Sequence, residues 1–283
     1  MKVRLAYQKL GKVRFLGHLD MARLWERGLR KARLPVAMSA GFTPRPKVSF
    51  GLALPTGAES LVELLDVTFD ETFDPTVDAR FDVQGLPEIL SSALPPGVDV
   101  IDADPITPTM WSLQEDVTAT TWVMAVDAPG VDLDDKVAEV LESPEIWIER
   151  ERKGERRRDD VRPGILDLRV VTLEDMARVL PESWIAAVDG PSRCLVEATL
   201  TTSGRGVRPT EMAEVLRPGE DPWVTMPRVV RTHQWIGRDD APRVSVRAGK
   251  DTSHERRPAS PRESREPGSR ERREHESREH EPA

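Results

Sequence analysis

The chain has 283 residues, with 41 Lys and Arg against 49 Asp and Glu, five His and a single Cys. One cysteine excludes an intrachain disulfide framework, and also a cysteine-ligated iron–sulfur cluster built by this chain alone. No apolar run approaches the ~18 residues of a membrane span and no secretory leader opens the chain, so no membrane partner and a cytoplasmic location are expected.

The charge is segregated. Residues 1–51 carry 12 Lys and Arg against two acids, Asp20 and Glu26, a net charge of +10 in a chain whose total is −8. The end of the chain from Asp239 holds 11 bases and 11 acids, which leaves residues 52–238 at −18. A basic end on an acidic body steers a polyanion to one face and repels it from the rest.

In chain order, residues 1–7 alternate as a strand, with Val3, Leu5 and Tyr7 on one side and Lys2, Arg4 and Ala6 on the other. After Gly17 the period becomes helical to about Arg33, with Met21, Leu24, Trp25, Gly28, Leu29 and Ala32 on one side. Arg23, Arg27, Arg30 and Lys31 fall opposite. Pro35 ends the helix, and 36–38 reads as a short strand. Pro44 and Pro46 make 41–47 a stiff loop, because each fixes φ and removes a backbone donor. Strands at 48–54 and 61–69, a helix at about 77–94 weakened by Gly85 and Pro87, and a strand at 98–103 complete the first half. The order is β-α-β-β-α-β with one extra hairpin strand.

After a linker at 104–108 the plan repeats more loosely. It reads as a strand at 121–126, a helix at 133–141, a strand at 145–151 and a charged hairpin tip at 153–160. A strand at 194–201, a helix at 209–216 with Pro209 in its first turn, and a closing segment at 224–236 follow. The expected fold class is α+β: two ferredoxin-like (β-α-β-β-α-β) domains with antiparallel sheets, at 1–108 and 109–237. The Arg/Glu/Ser/Pro-rich remainder, 238–283, is expected to be a disordered tail.

No catalytic signature stands out. Outside the tail only His18, His233 and Cys194 offer soft metal ligands, with no zinc spacing, so no metal site is expected. There is no Gly-x-Ser-x-Gly elbow and no phosphate-cradling Gly-x-x-x-x-Gly-Lys loop. His18, at the start of a helix among basic residues, is the one candidate catalytic residue, as general base in RNA cleavage. The alternative is a histidine that caps its helix and packs on the sheet. Arg14, Arg23, Arg27, Arg30, Lys31, Arg45 and Lys47 are the candidate RNA-backbone contacts, with Phe42 as a base-stacking aromatic. The alternative is a solvated helix face, with Phe42 and Phe50 in the core.

Several stretches resemble the bacterial radical-SAM-linked protein family. They are Phe15-Leu16-Gly17-His18-Leu19-Asp20, Trp25-Glu26-Arg27, Leu34-Pro35-Val36-Ala37, the run from Gly41 to Phe50, and Leu54-Pro55-Thr56-Gly57. Val161-Arg162-Pro163, Arg208-Pro209-Thr210-Glu211 and Arg228-Val229-Val230-Arg231-Thr232 are similar to its later motifs. The resemblance implies a radical SAM protein as partner, carrying the iron–sulfur cluster and S-adenosylmethionine, with no cofactor in this chain. The gene surroundings of that family imply RNA or a ribosome-related particle as substrate. The element order and basic loop are also similar to the RAMP ribonucleases that process CRISPR repeats, a likeness of fold alone.

Overall fold

The computed structural model describes residues 1–70, 82–106, 113, 117–152, 154–190, 193–236 and 244–246. Strand β1 (Lys2–Lys9) buries Val3, Leu5 and Tyr7 on one face, as their alternation predicts. Helix α1 (His18–Lys31) lies on that face through Met21, Leu24, Trp25, Gly28 and Leu29. Gly28 is there because space is short: a Cβ would stand 2.6 Å from Leu94 Cδ2. That close approach offsets the ~1 kcal/mol that glycine costs inside a helix.

Strand β2 (Val48–Phe50) is shorter than expected and pairs with β3 (Glu59–Thr68). The expected strand at 36–38 amounts to two isolated bridges, Val36 to Phe69 and Met38 to Pro46. Helix α2 (Leu86–Ala93) follows a short 3-10 turn, Val83–Gly85, instead of running from 77. Pro87 has no N–H to give an upstream turn and suits a first turn, so the helix starts beside it. The expected residues 77–81 lie outside the described residues, as does the expected boundary at 108–109. Strand β4 (Val98–Pro105) completes this half, in the order β4-β1-β3-β2 with every neighbouring pair antiparallel.

The second half holds β5 (Val117–Asp127), α3 (Leu133–Glu142), β6 (Trp147–Arg152), β7 (Glu155–Asp160) and β8 (Ile165–Val171). Then come α4 (Leu173–Met176), α5 (Glu182–Val188), β9 (Arg193–Thr201), α6 (Pro209–Leu216), α7 (Pro222–Thr225) and β10 (Arg228–Ile236). Its main strands run β10-β5-β9-β8, again all antiparallel. Trp122, Met124 and Val126 of β5 face α3 and α6, while Val123 and Ala125 face Trp184 of α5. A strand covered on both faces reads as a continuous apolar run, which is how 122–126 reads. The expected hairpin tip at 153–160 is corrected: Glu155–Asp160 is a full strand paired with β6, and the turn is at Gly154 (φ +78°).

A single parallel pairing, β3 with β10, joins the halves into one nine-stranded sheet. The backbone register there is only Val230 with Glu59 and Arg231 with Ser60. Buried and half-buried side chains complete the seam: Arg228 holds Glu59, Arg231 holds Glu63, and Gln234 Nε2 donates to Val62 O at 2.7 Å. The molecule is thus a mixed α+β fold on a mostly antiparallel sheet. The expected tail lies outside the described residues, except that Val244–Val246 forms a strand, β11, antiparallel to β10.

Candidate nucleic-acid interface

The outward face of α1 follows from its buried one. With five apolar positions fixed on the sheet, the 3.6-residue period turns Arg23, Arg27, Arg30 and Lys31 to solvent, and all four are exposed. Arg23 is 3.4 Å from Asp20, an exposed pair of small consequence. Among the described residues Arg27 and Arg30 have no ion-pair partner. Arg27 and Lys31 line an open groove of about 420 Å³ with Leu24, Leu94, Pro95 and Pro96. Among the described residues Lys31 Nζ reaches only the Ser92 carbonyl, at 3.4 Å.

On the other flank of α1 stands the 39–45 loop. Ser39 and Arg45 close it: Ser39 N donates to Arg45 O at 2.8 Å, and Arg45 N donates to Ser39 Oγ at 3.0 Å. Lys47 N then donates to Ala37 O at 2.8 Å, and Lys47 O accepts from Thr68 N of β3 at 3.0 Å, which ties the loop to the sheet. Phe42 at its tip is fully exposed, so it is not a core residue; Phe50 is half-buried against the α1 side of the sheet. Arg45 and Lys47 are exposed, with Arg45 Nη1 3.9 Å from Glu26 Oε1. The contact sets the loop beside the arginine stripe. Four of the seven bases therefore share the exposed face of α1, and Arg45 stands at its edge beside Glu26.

Arg14 stands apart. Its carbonyl accepts from Gly57 N at 2.9 Å and its guanidinium lies 4.5 Å over the Phe15 ring. Burial, and then the like charge of Arg228, push its pKa down. It belongs to the junction between the halves, where Gly57 (φ +93°) leaves room for Trp223; a Cβ would stand 3.0 Å from that indole.

His18 does not cap α1. The N-cap is Gly17, with no side-chain hydrogen bond, and the exposed imidazole sits edge-on to Phe50 with ring centres 5.2 Å apart. Beneath it is a cavity of about 30 Å³ lined by Tyr7, Lys9, Met21, Phe50, Gly51, Leu52 and Glu63 among others. Lys9 is only 3% exposed. Its Nζ donates to the carbonyls of Leu16 at 2.8 Å and Arg14 at 3.5 Å, and burial pushes its pKa down. Burial and then the Glu63 carboxylate push the Tyr7 phenol far up. Sequence reading missed Lys9, Tyr7 and Glu63. Tyr7 reads as an ordinary strand position and Lys9 falls past the expected strand at 1–7; the turn at 11–15 brings the backbone of Arg14 and Leu16 over Lys9.

The donor set does not fit an iron–sulfur cluster, for the only cysteine is Cys194, exposed in β9. Among the described residues no three His, Cys, Asp or Glu are grouped to hold a metal ion. No helix among them is long and apolar enough to cross a membrane.

These features define a mixed α+β protein with a basic helix face beside a small polar cavity. The chain belongs to the family described as an uncharacterized protein conserved in bacteria (DUF2344), whose profile matches residues 2–209. No curated protein matches it. Among solved structures it is similar to a chain of the crystal structure of a Cbf5-Nop10-Gar1 complex, at 10% identity and a TM-score of 0.40. The match covers 82% of this chain and 48% of that one, so the chain spans about half the length of that relative.

Proposed function

We propose that this protein is a cytoplasmic accessory protein that binds RNA, or a ribonucleoprotein particle, and presents it to a separate radical SAM enzyme. The observation that carries the RNA reading is the α1 stripe, with Arg27 and Lys31 on a groove floored by Leu24, Leu94 and two prolines. Unpaired exposed bases on a rigid helix neutralise backbone phosphates, and an exposed aromatic such as Phe42 stacks bases. The radical SAM partner is supported by the resemblance of residues 15–57 alone, and a chain with one cysteine leaves the cluster to that partner. The strand orders β4-β1-β3-β2 and β10-β5-β9-β8 support reading 1–108 and 109–237 as two ferredoxin-like domains. The test is binding of single-stranded RNA by the purified chain at rising salt. Affinity should fall steeply, and absent or salt-insensitive binding defeats the reading.

A second reading, a metal-independent RAMP-like ribonuclease, is favoured by the position of His18 at a cavity lined by Tyr7, Lys9 and Glu63. His18→Ala should then slow RNA cleavage by roughly 100-fold or more. Equal cleavage rates in the two proteins would end that reading and leave the accessory role standing. A scaffold role without nucleic acid, with the second half docking the partner, would be marked by capture of the partner with no RNA.

A further inference from the structure

Buried charges in proteins are paired, coordinated or neutralised, because an isolated ammonium away from water is costly. Lys9 departs from that rule. Among the described residues its Nζ has no carboxylate within ion-pair distance, although the residue is only 3% exposed. Its two recorded acceptors are neutral carbonyls. The nearest acid that lines the same cavity, Glu63, is already held by Arg231, which directs both Nε and Nη2 at Glu63 Oε1. Glu63 and Arg231 cancel, so the cavity carries the uncompensated charge of Lys9. Tyr7 lines the same space, with the buried Trp25 indole edge-on to its ring at 4.9 Å between centres. About 30 Å³ holds one or two water-sized groups, room for one or two oxygens of an oxyanion whose remaining atoms stand at the mouth.

We propose that the cavity beneath His18 binds a small oxyanion group, a phosphate or a carboxylate, with the Lys9 ammonium as counter-charge and the Tyr7 hydroxyl as second donor. The rest of such a ligand lies outside, over His18 and Phe50, whose rings flank the mouth. The Glu63 carboxylate is the one repulsive group in the lining, and Arg231 offsets it. This site does not depend on RNA binding by the α1 stripe.

The experiment is a titration of the full chain with inorganic phosphate and, separately, acetate, at constant ionic strength. It is followed by the NMR signals of the His18 imidazole and the Trp25 indole N–H, and repeated in Arg27→Ser/Lys31→Ser, where shifts that arise at the cavity persist and shifts that arise at the α1 stripe are lost. Saturable shifts with a millimolar dissociation constant are expected, phosphate alone assigning a phosphate group and acetate alone a carboxylate. Lys9→Met should weaken binding at least ~10-fold, and Tyr7→Phe by ~3-fold or more, as expected for lost charged and neutral hydrogen bonds. No saturable shift with either probe, or unchanged affinity in folded Lys9→Met, overturns the proposal. If Lys9→Met does not fold, Tyr7→Phe decides, and an affinity equal to wild type contradicts it.

Discussion

At Lys9, burial strips water from an ammonium that only two backbone carbonyls replace, so the folded protein holds that proton less tightly than the unfolded chain does. The sign of the pH effect follows. An unfolded lysine stays protonated to about pH 10.4, so between the depressed folded pKa and that value the unfolded state binds more protons. Stability from this residue therefore rises with pH across that window. Tyr7 acts oppositely: its phenol stays protonated in the fold while the unfolded chain loses that proton near pH ~10, so stability falls above it. Charges facing Lys9 are Glu63, which favours its protonation, and Arg231, which opposes it. Urea unfolding at a series of pH values should give a wild-type minus Lys9→Met difference that rises with pH up to about 10. A difference independent of pH would contradict this account of Lys9.

Among the elements, α1 was legible because its apolar period is complete; Met21, Leu24, Trp25, Gly28 and Leu29 are all buried where the spacing puts them. Strand β7 was not legible, because Glu155–Asp160 contains no apolar residue and is held by backbone pairing to β6. Helices α4 and α5 escaped notice for their length, at four and seven residues. The acids of β3 were the deepest misreading available. Glu59, Glu63 and Asp66 look solvent-facing by composition, yet each is buried against an arginine from β10 or β1. Polarity marks solvent only when no partner exists elsewhere in the chain, and the partners are up to 169 residues away. The turn before β3 yields a direct test. Gly57→Ala forces a Cβ at φ +93° against the Trp223 ring, and should cost about 1–2 kcal/mol in chemical denaturation. A change within ~0.3 kcal/mol would show that the Trp223 contact is loose.

Across the whole molecule, charge segregation was readable by counting, since residues 1–51 hold a quarter or more of all Lys and Arg. What counting could not give is which bases converge. Arg14 shares the sequence neighbourhood of the others, yet it sits at the junction with Arg228 and Glu59. The cavity was equally hidden, because Tyr7 and Lys9 come from β1, His18 from α1, Phe50 from β2 and Glu63 from β3. The junction is also where the two halves commit to each other. A two-residue parallel register would hold them weakly, but the part-buried Arg228–Glu59 and fully buried Arg231–Glu63 pairs fix the seam, the second costly to break singly because a lone buried charge would remain. The basic face of α1 thus rides on a chain whose residues 52–238 carry a net −18, and in the proposed RNA-binding role that asymmetry steers the polyanion toward α1. The most direct measurement is the salt dependence of single-stranded RNA binding by the full chain and by Arg27→Ser/Lys31→Ser. The account predicts a log–log slope that is steep in the wild type and shallower by about 1.4 in the variant, at ~0.7 per lost phosphate contact. RNA binding with the same slope in both proteins, or none at ~50 mM salt, would contradict it.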